Sequence, residues 1–184
     1  MAQISINGLL GNAGPSYSEI IVKPYREELV QAGFEQMLTV MEVEQALNRQ
    51  DDLTQLVVLN SVCGCSARVG RPGAIMSLLN RQVPDLLYTL FAGMEKEAVT
   101  WFRQNYLPGL TPSSPNIALF KNGQMLHILH RHQIERMTAT DIAGTLSEWY
   151  GESCNRQLST GDELRLRAYL DEKYNAKPLD QPTE

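Results

Sequence analysis

The sequence predicts an α/β domain in which a central mixed β-sheet is covered by helices on both faces. Three observations carry that reading. The run Leu56–Leu59 is short, continuously apolar and followed at once by Asn60 and Ser61, which is the composition of a strand buried on both faces. Stretches with helical periodicity alternate with such strands, an order that lays helices against a sheet and pairs the helix-linked strands in parallel. The stretch Thr111–Gly123, TPSSPNIALFKNG, ends in an Asn-Gly turn of the kind that closes an antiparallel hairpin.

The elements follow in order. Residues 1–16 are rich in Gly, Asn and Ser without a sustained period, and are expected to be a mobile lead-in. From Tyr17 to Ala32, Ile20, Ile21, Pro24, Tyr25, Leu29 and Val30 form an apolar helical stripe, Pro24 marking a helix start or kink and Gly33 the end. Thr39–Asn48 reads as a second helix with Thr39 as N-cap, Glu42 as its capping-box partner and Val43, Ala46 and Leu47 facing inward. The strand at Leu56 leads through the dithiol into a helix that Pro72 starts or kinks and that continues over Ala74–Asn80. Pro84 and Asp85 punctuate a turn, Leu86–Phe91 is the next strand, and Glu95–Asn105 is a helix with Ala98, Val99 and Phe102 inward. Gln124–His130 pairs with the strand before the Asn-Gly turn. A helix from Thr138 to Tyr150, capped by Thr138 or Thr140, precedes Cys154. Residues 155–184 form an extension with a helix over Gly161–Tyr174 and a polar, disordered tail. The chain thus divides into the lead-in, a domain over 17–154 and the extension. Trp101 and Trp149 sit at helical core spacings and are expected to pack inside.

With 184 residues, 43% of them hydrophobic and 20% charged, the chain can bury the core of one domain. Its net charge of −5 repels phosphate and anionic lipid, which argues against nucleic-acid and membrane partners. No apolar run reaches bilayer length, and MAQISINGLLGNAG lacks the features of a secretory signal, so the expected location is cytoplasmic. Three cysteines, two of them nearly adjacent, do not form a secreted disulfide framework. In a reducing compartment they point to catalysis or metal binding.

Cys63 and Cys65 lie where the apolar strand gives way to a helix. The thiolate is the nucleophile, and a helix N-terminus offers unpaired N–H groups and positive potential that favour it. Arg68 and Arg71 follow within two turns and would add to that field if their side chains fold back. Cysteines two apart on a regular helix point away from each other, so a Cys63–Cys65 disulfide requires a bent, non-helical turn, for which Gly64 is suited. Such a ring is expected to be tight and easily reduced.

A dithiol at a strand-to-helix turn, a proline before a later strand and an FKNG hairpin together resemble thioredoxin. Within that fold, PYREELVQAGFE, NSVCGCSARVGRPGA, FAGMEKEA, PSSPNIALFKNG and RHQIER are similar to the bacilliredoxin family, marked by Cys-Gly-Cys, over roughly residues 20 to 154. The resemblance implies a thioredoxin-like fold and a cis Pro115, after Ser114, lying against the active-site cysteines. It also implies removal of bacillithiol, a low-molecular-weight thiol co-substrate, from mixed disulfides with client proteins, with no tightly bound cofactor. On that reading Cys63 is the nucleophile and Cys65 the resolving thiol. Arg68 departs from the small residue common at its position, and the extension after Cys154 exceeds the usual family length. The alternatives are a general disulfide reductase or isomerase, or a metal or iron–sulfur module using the two thiols with histidine or Cys154. Cys154 is compatible with a homodimer joined by a disulfide, with a third redox thiol or with an incidental thiol. As strand residues, His130 and His132 would share one face and His127 would take the other, so the three do not converge on a metal.

Overall fold

The structure, a computed structural model, describes residues 14–174. The predicted lead-in over residues 1–13 and the predicted tail after Tyr174 lie outside the described residues. The end of the lead-in is tied down: Ser16 N–H donates to the Gly93 carbonyl at 2.7 Å, and Tyr17 lies against Gly93.

Helix α1 (Glu19–Gln31) leads into the two-residue strand β1 (Glu35–Gln36) and helix α2 (Val40–Leu47). Strand β2 (Thr54–Asn60) is followed by a wide π-helical turn, Ser66–Gly70, that runs directly into α3 (Arg71–Ser77). Next come β3 (Gln82–Val83), β4 (Leu86–Phe91), α4 (Lys96–Tyr106), and the hairpin β5 (Asn116–Lys121) and β6 (Gln124–Leu129). The short α5 (Arg131–Ile134), α6 (Ala139–Ser153), β7 (Arg156–Gln157) and α7 (Thr160–Tyr174) complete the chain. The main sheet runs β1-β4-β2-β5-β6: β2 and β4 pair in parallel, as do β1 and β4, whereas β5 is antiparallel to both β2 and β6. This is a mixed sheet in a thioredoxin-like α/β fold.

Local chemistry accounts for most of the elements. Every residue of β2 is buried, and successive side chains enter opposite faces. Leu56 and Val58 join a core with Leu29, Ala74, Ile142, Leu146 and Leu166, while Val57 and Leu59 join a second core with Val43, Leu47, Val99 and Phe102. The first core lies under α1, α3, α6 and α7, and the second under α2 and α4. Thr39 and Glu42 form the expected capping box, and Thr138 rather than Thr140 caps α6, with Asp141 as its reciprocal partner. Asn122 and Gly123 have φ values of 51° and 73°, the positive pair that a two-residue hairpin requires.

Several expectations are corrected. In α1 the buried residues are Val22 and Leu29, whereas Ile20, Ile21 and Val30 are exposed and Pro24 lies inside the helix. Val22, Tyr25 and Leu29 follow the helical period and face β4 and the first core, so tertiary contact selected a narrower stripe than apolar composition implied. Trp101 sits on the outer face of α4, away from Ala98, Val99 and Phe102, and is exposed. The element order gains β1, β3, β7 and α5. Strands β3 and β7 pair with each other, too short to leave a period in the sequence.

Candidate active site

At the end of β2, buried Asn60 organises the turn that follows. Its Nδ2 donates to the Tyr25 carbonyl at 3.0 Å, and its Oδ1 accepts from Ser61 N–H at 2.8 Å and from the Ser66 hydroxyl at 2.9 Å. The Ser61 hydroxyl accepts from Cys63 N–H at 3.3 Å. The Cys63 carbonyl then accepts from Ser66 and Ala67 N–H at 3.0 and 3.1 Å. Cys63 therefore stands at the helix entrance, with the first turn closing on its carbonyl.

Cys63 and Cys65 are joined by a disulfide, their Cα atoms 5.4 Å apart. The expected non-helical bend at Gly64 does not occur. Gly64 and Cys65 already belong to the helix, and Gly64 has no positive φ. The bridge can close because Cys63 lies just before the helix, so the divergence of side chains two apart within a helix does not apply to it. A Cβ on Gly64 would meet nothing within 4 Å, which leaves the outer side of the dithiol open. Both cysteines are half-buried, and Cys65 packs against the first core.

The Ser114–Pro115 peptide bond is cis, and Pro115 is buried. A Cβ on Gly70 would lie 3.4 Å from the Cys65 carbonyl oxygen and 3.9 Å from Pro115 Cγ. The proline ring and the backbone of the second cysteine thus meet over Gly70.

Of the two arginines, Arg68 is exposed and Arg71 folds back, its side chain wholly buried. Arg71 Nη1 donates to Asn60 Oδ1 at 3.0 Å, to the Ser66 hydroxyl at 3.2 Å and to the Ser61 carbonyl at 3.3 Å. Its Nε donates to Glu28 Oε2 at 2.6 Å, and its guanidinium lies 4.8 Å from the centre of the Tyr25 ring. A buried cation is tolerated only when paired and hydrogen-bonded, and Nε and Nη1 are held in that way from beneath the redox turn, while Nη2 is buried without a hydrogen-bond partner among the described residues. Ser66 and Glu28 were not singled out in the sequence, Asn60 was read only as a residue following the strand and Tyr25 only as part of an apolar stripe. The available signal was Glu28 beside the Val22–Leu29 stripe, a carboxylate positioned to enter the core edge.

The remaining candidates lie elsewhere. Cys154 is buried at the end of α6, and burial pushes its thiol pKa up. His127 stacks on half-buried Trp149, with ring centres 5.0 Å apart, and lies 3.6 Å from Glu152. Because β6 ends at Leu129, His130 caps α5, His132 lies within it, and their rings stack at 5.5 Å instead of sharing a strand face. Among the described residues no three metal-ligating side chains converge. No helix among them is long and apolar enough to cross a membrane.

Residues 17–154 match the family model described as disulphide isomerase. The chain is 44% identical over 138 residues to a bacilliredoxin of Halalkalibacterium halodurans, an alignment covering 75% of this chain and 94% of that protein. It is 43% identical over 136 residues to a bacilliredoxin of Cytophaga hutchinsonii, covering 74% and 98% of the two chains. A bacilliredoxin of Bacillus cereus is 38% identical over 146 residues, covering 79% of this chain and all of that protein. With a thioredoxin-like fold and this degree of identity to proteins of that name across most of its length, the chain belongs to the bacilliredoxin family of thiol–disulfide oxidoreductases.

Proposed function

We propose that this protein removes bacillithiol from mixed disulfides on client proteins through Cys63 and Cys65, in the cytoplasm. The observation that carries the reading is the Cys63–Cys65 pair at a helix entrance, bonded and with its outer side open. The helix N–H groups favour the thiolate over the thiol at that point. In the reduced protein the Cys63 thiolate attacks the bacillithiol sulfur of a protein–bacillithiol disulfide. A Cys63–bacillithiol disulfide forms, and the client leaves as a thiolate that takes a proton from water. Cys65, as thiolate, then attacks Cys63 Sγ, releasing bacillithiol and leaving the internal disulfide. Two equivalents of a low-molecular-weight thiol reduce that disulfide by exchange and are themselves oxidised to their disulfide. Alternatively, a second bacillithiol attacks the Cys63 adduct directly and leaves as bacillithiol disulfide.

Cys63→Ser abolishes release of bacillithiol from a modified client. Cys65→Ala retains the first step and accumulates an adduct on Cys63 whose mass increment identifies the bound thiol. Normal turnover by Cys63→Ser would remove this mechanism. A general disulfide reductase or isomerase is the second reading, favoured by the description of the matching family as disulphide isomerase. Turnover on bacillithiol and glutathione mixed disulfides of one client separates the two: equal kcat/KM on both favours the general activity.

A further inference from the structure

The matched family segment ends at residue 154, and α7 begins beyond it. This added helix docks on the domain's own first core: Leu166 is buried, and Leu158, Tyr169, Leu170 and Tyr174 pack beside it. Its last turns close on one residue, Glu28. The Tyr169 hydroxyl donates to the Glu28 main-chain carbonyl at 3.0 Å, and the Tyr174 hydroxyl donates to Glu28 Oε2 at 3.4 Å. Lys173 Nζ lies 3.9 Å from Glu28 Oε1. Glu28 Oε2 is the same oxygen that accepts from Arg71 Nε, and Arg71 grips Asn60, Ser61 and Ser66 under the dithiol.

We propose that α7 is a positioning element of the redox site, in which Tyr169 and Tyr174 hold Glu28 against Arg71 so that Arg71 holds the Cys63–Gly64–Cys65 turn. This inference rests on the oxidoreductase reading and adds to it a control that reaches the site from outside the family segment. Each link is a direct contact, and each joins a different part of the chain: α7 to α1, α1 to α3, and α3 to the end of β2. Burial, and then the Glu28 carboxylate, hold the Tyr169 phenol up at about 12, and the Tyr174 phenol is raised for the same reasons. Both therefore remain donors over the working pH range. Among the described residues Glu28 is the carboxylate that pairs with the guanidinium, and Lys173 lies behind it. The Arg71 side chain is wholly buried and that of Glu28 nearly so, and charges shielded from water hold each other more strongly than hydrated ones.

Without the two hydroxyls, Glu28 loses its fixed position and Arg71 its anchor. The turn beneath Cys63 then loosens, and the thiolate becomes harder to form. The test uses the reduced full-length protein and the pH profile of iodoacetamide alkylation of Cys63, followed by peptide mass spectrometry. For Tyr169→Phe/Tyr174→Phe we expect a profile displaced to higher pH, with alkylation at pH 7 slowed at least threefold and the high-pH plateau unchanged. Arg167→Ala, at an exposed residue that pairs with Glu163 on α7 itself, should follow the wild type. In an Arg71→Lys background the tyrosine pair should produce no further displacement. A double variant whose profile overlays the wild type overturns the proposal, as does a displacement that persists undiminished with Arg71→Lys. A drop in thermal stability with an unmoved profile likewise makes α7 merely structural and overturns it. Alkylation needs no disulfide substrate, so this result is independent of turnover, and a wild type inactive on every mixed disulfide would overturn the oxidoreductase reading alone.

Discussion

Asn60 is the residue on which the redox turn depends. Its Oδ1 accepts from three donors, namely Ser61 N–H, the Ser66 hydroxyl and Arg71 Nη1, all within 3.0 Å. Asn60→Ala leaves those buried donors short of an acceptor, and an orphaned buried donor costs about 1–3 kcal/mol. Urea denaturation of the oxidised protein should show a loss of at least that size. A smaller loss would mean that water replaces the amide. Cys63, Gly64 and Cys65 were legible in the sequence because thiols beside a turn are a short-range pattern. The dependence on Asn60 was not, since an asparagine after a strand reads equally well as an ordinary turn former.

Helices α3 and α6 meet at a glycine. A Cβ on Gly73 would lie 2.6 Å from Ile142 Cβ and 2.9 Å from the Ala139 carbonyl oxygen, so the two helices can pack this closely only without a side chain there. Gly73→Ala must push α6 off α3, and overpacking of this kind costs about 1–3 kcal/mol. The residue keeps a negative φ and gains helix propensity, so a destabilised variant in thermal unfolding reports the contact alone. An unchanged or raised Tm would show that α6 moves freely. The same displacement would reach the dithiol, because α3 continues directly from the π-helical turn that Cys65 immediately precedes. Element identities were largely readable from a capping box, from the Asn-Gly turn and from the apolar run of β2. The strands of two residues and the inward face of α1 were not, because each is decided by a partner distant in the chain.

At the scale of the whole molecule, the sheet delivers the end of β2 and the start of β5 side by side: Leu59 pairs with Asn116, the residue after Pro115. That register brings the cis-proline loop to the redox turn. Cys154 lies at the other end of β2, beside Thr54, and is buried in the first core where α6 ends. A buried thiol whose pKa is raised is a poor nucleophile at neutral pH. Cys154→Ala should therefore leave both bacillithiol release and the pattern on non-reducing electrophoresis unchanged. A disulfide-linked dimer that disappears in this variant would show that the C-terminal packing opens enough to expose the sulfur.

The sequence by itself determined the α/β class, the doubly buried strand, the hairpin, one capping box and the dithiol at a helix start. These depend on side-chain period, turn chemistry and hydrogen bonds between near neighbours, all of which act over a few residues. The tertiary structure alone decided that Arg71 and not Arg68 turns inward, and that the added helix ends on Glu28. A guanidinium enters the interior only where a carboxylate and several acceptors compensate its lost hydration. Here that carboxylate lies 43 residues away in the chain, a distance across which no local pattern carries information.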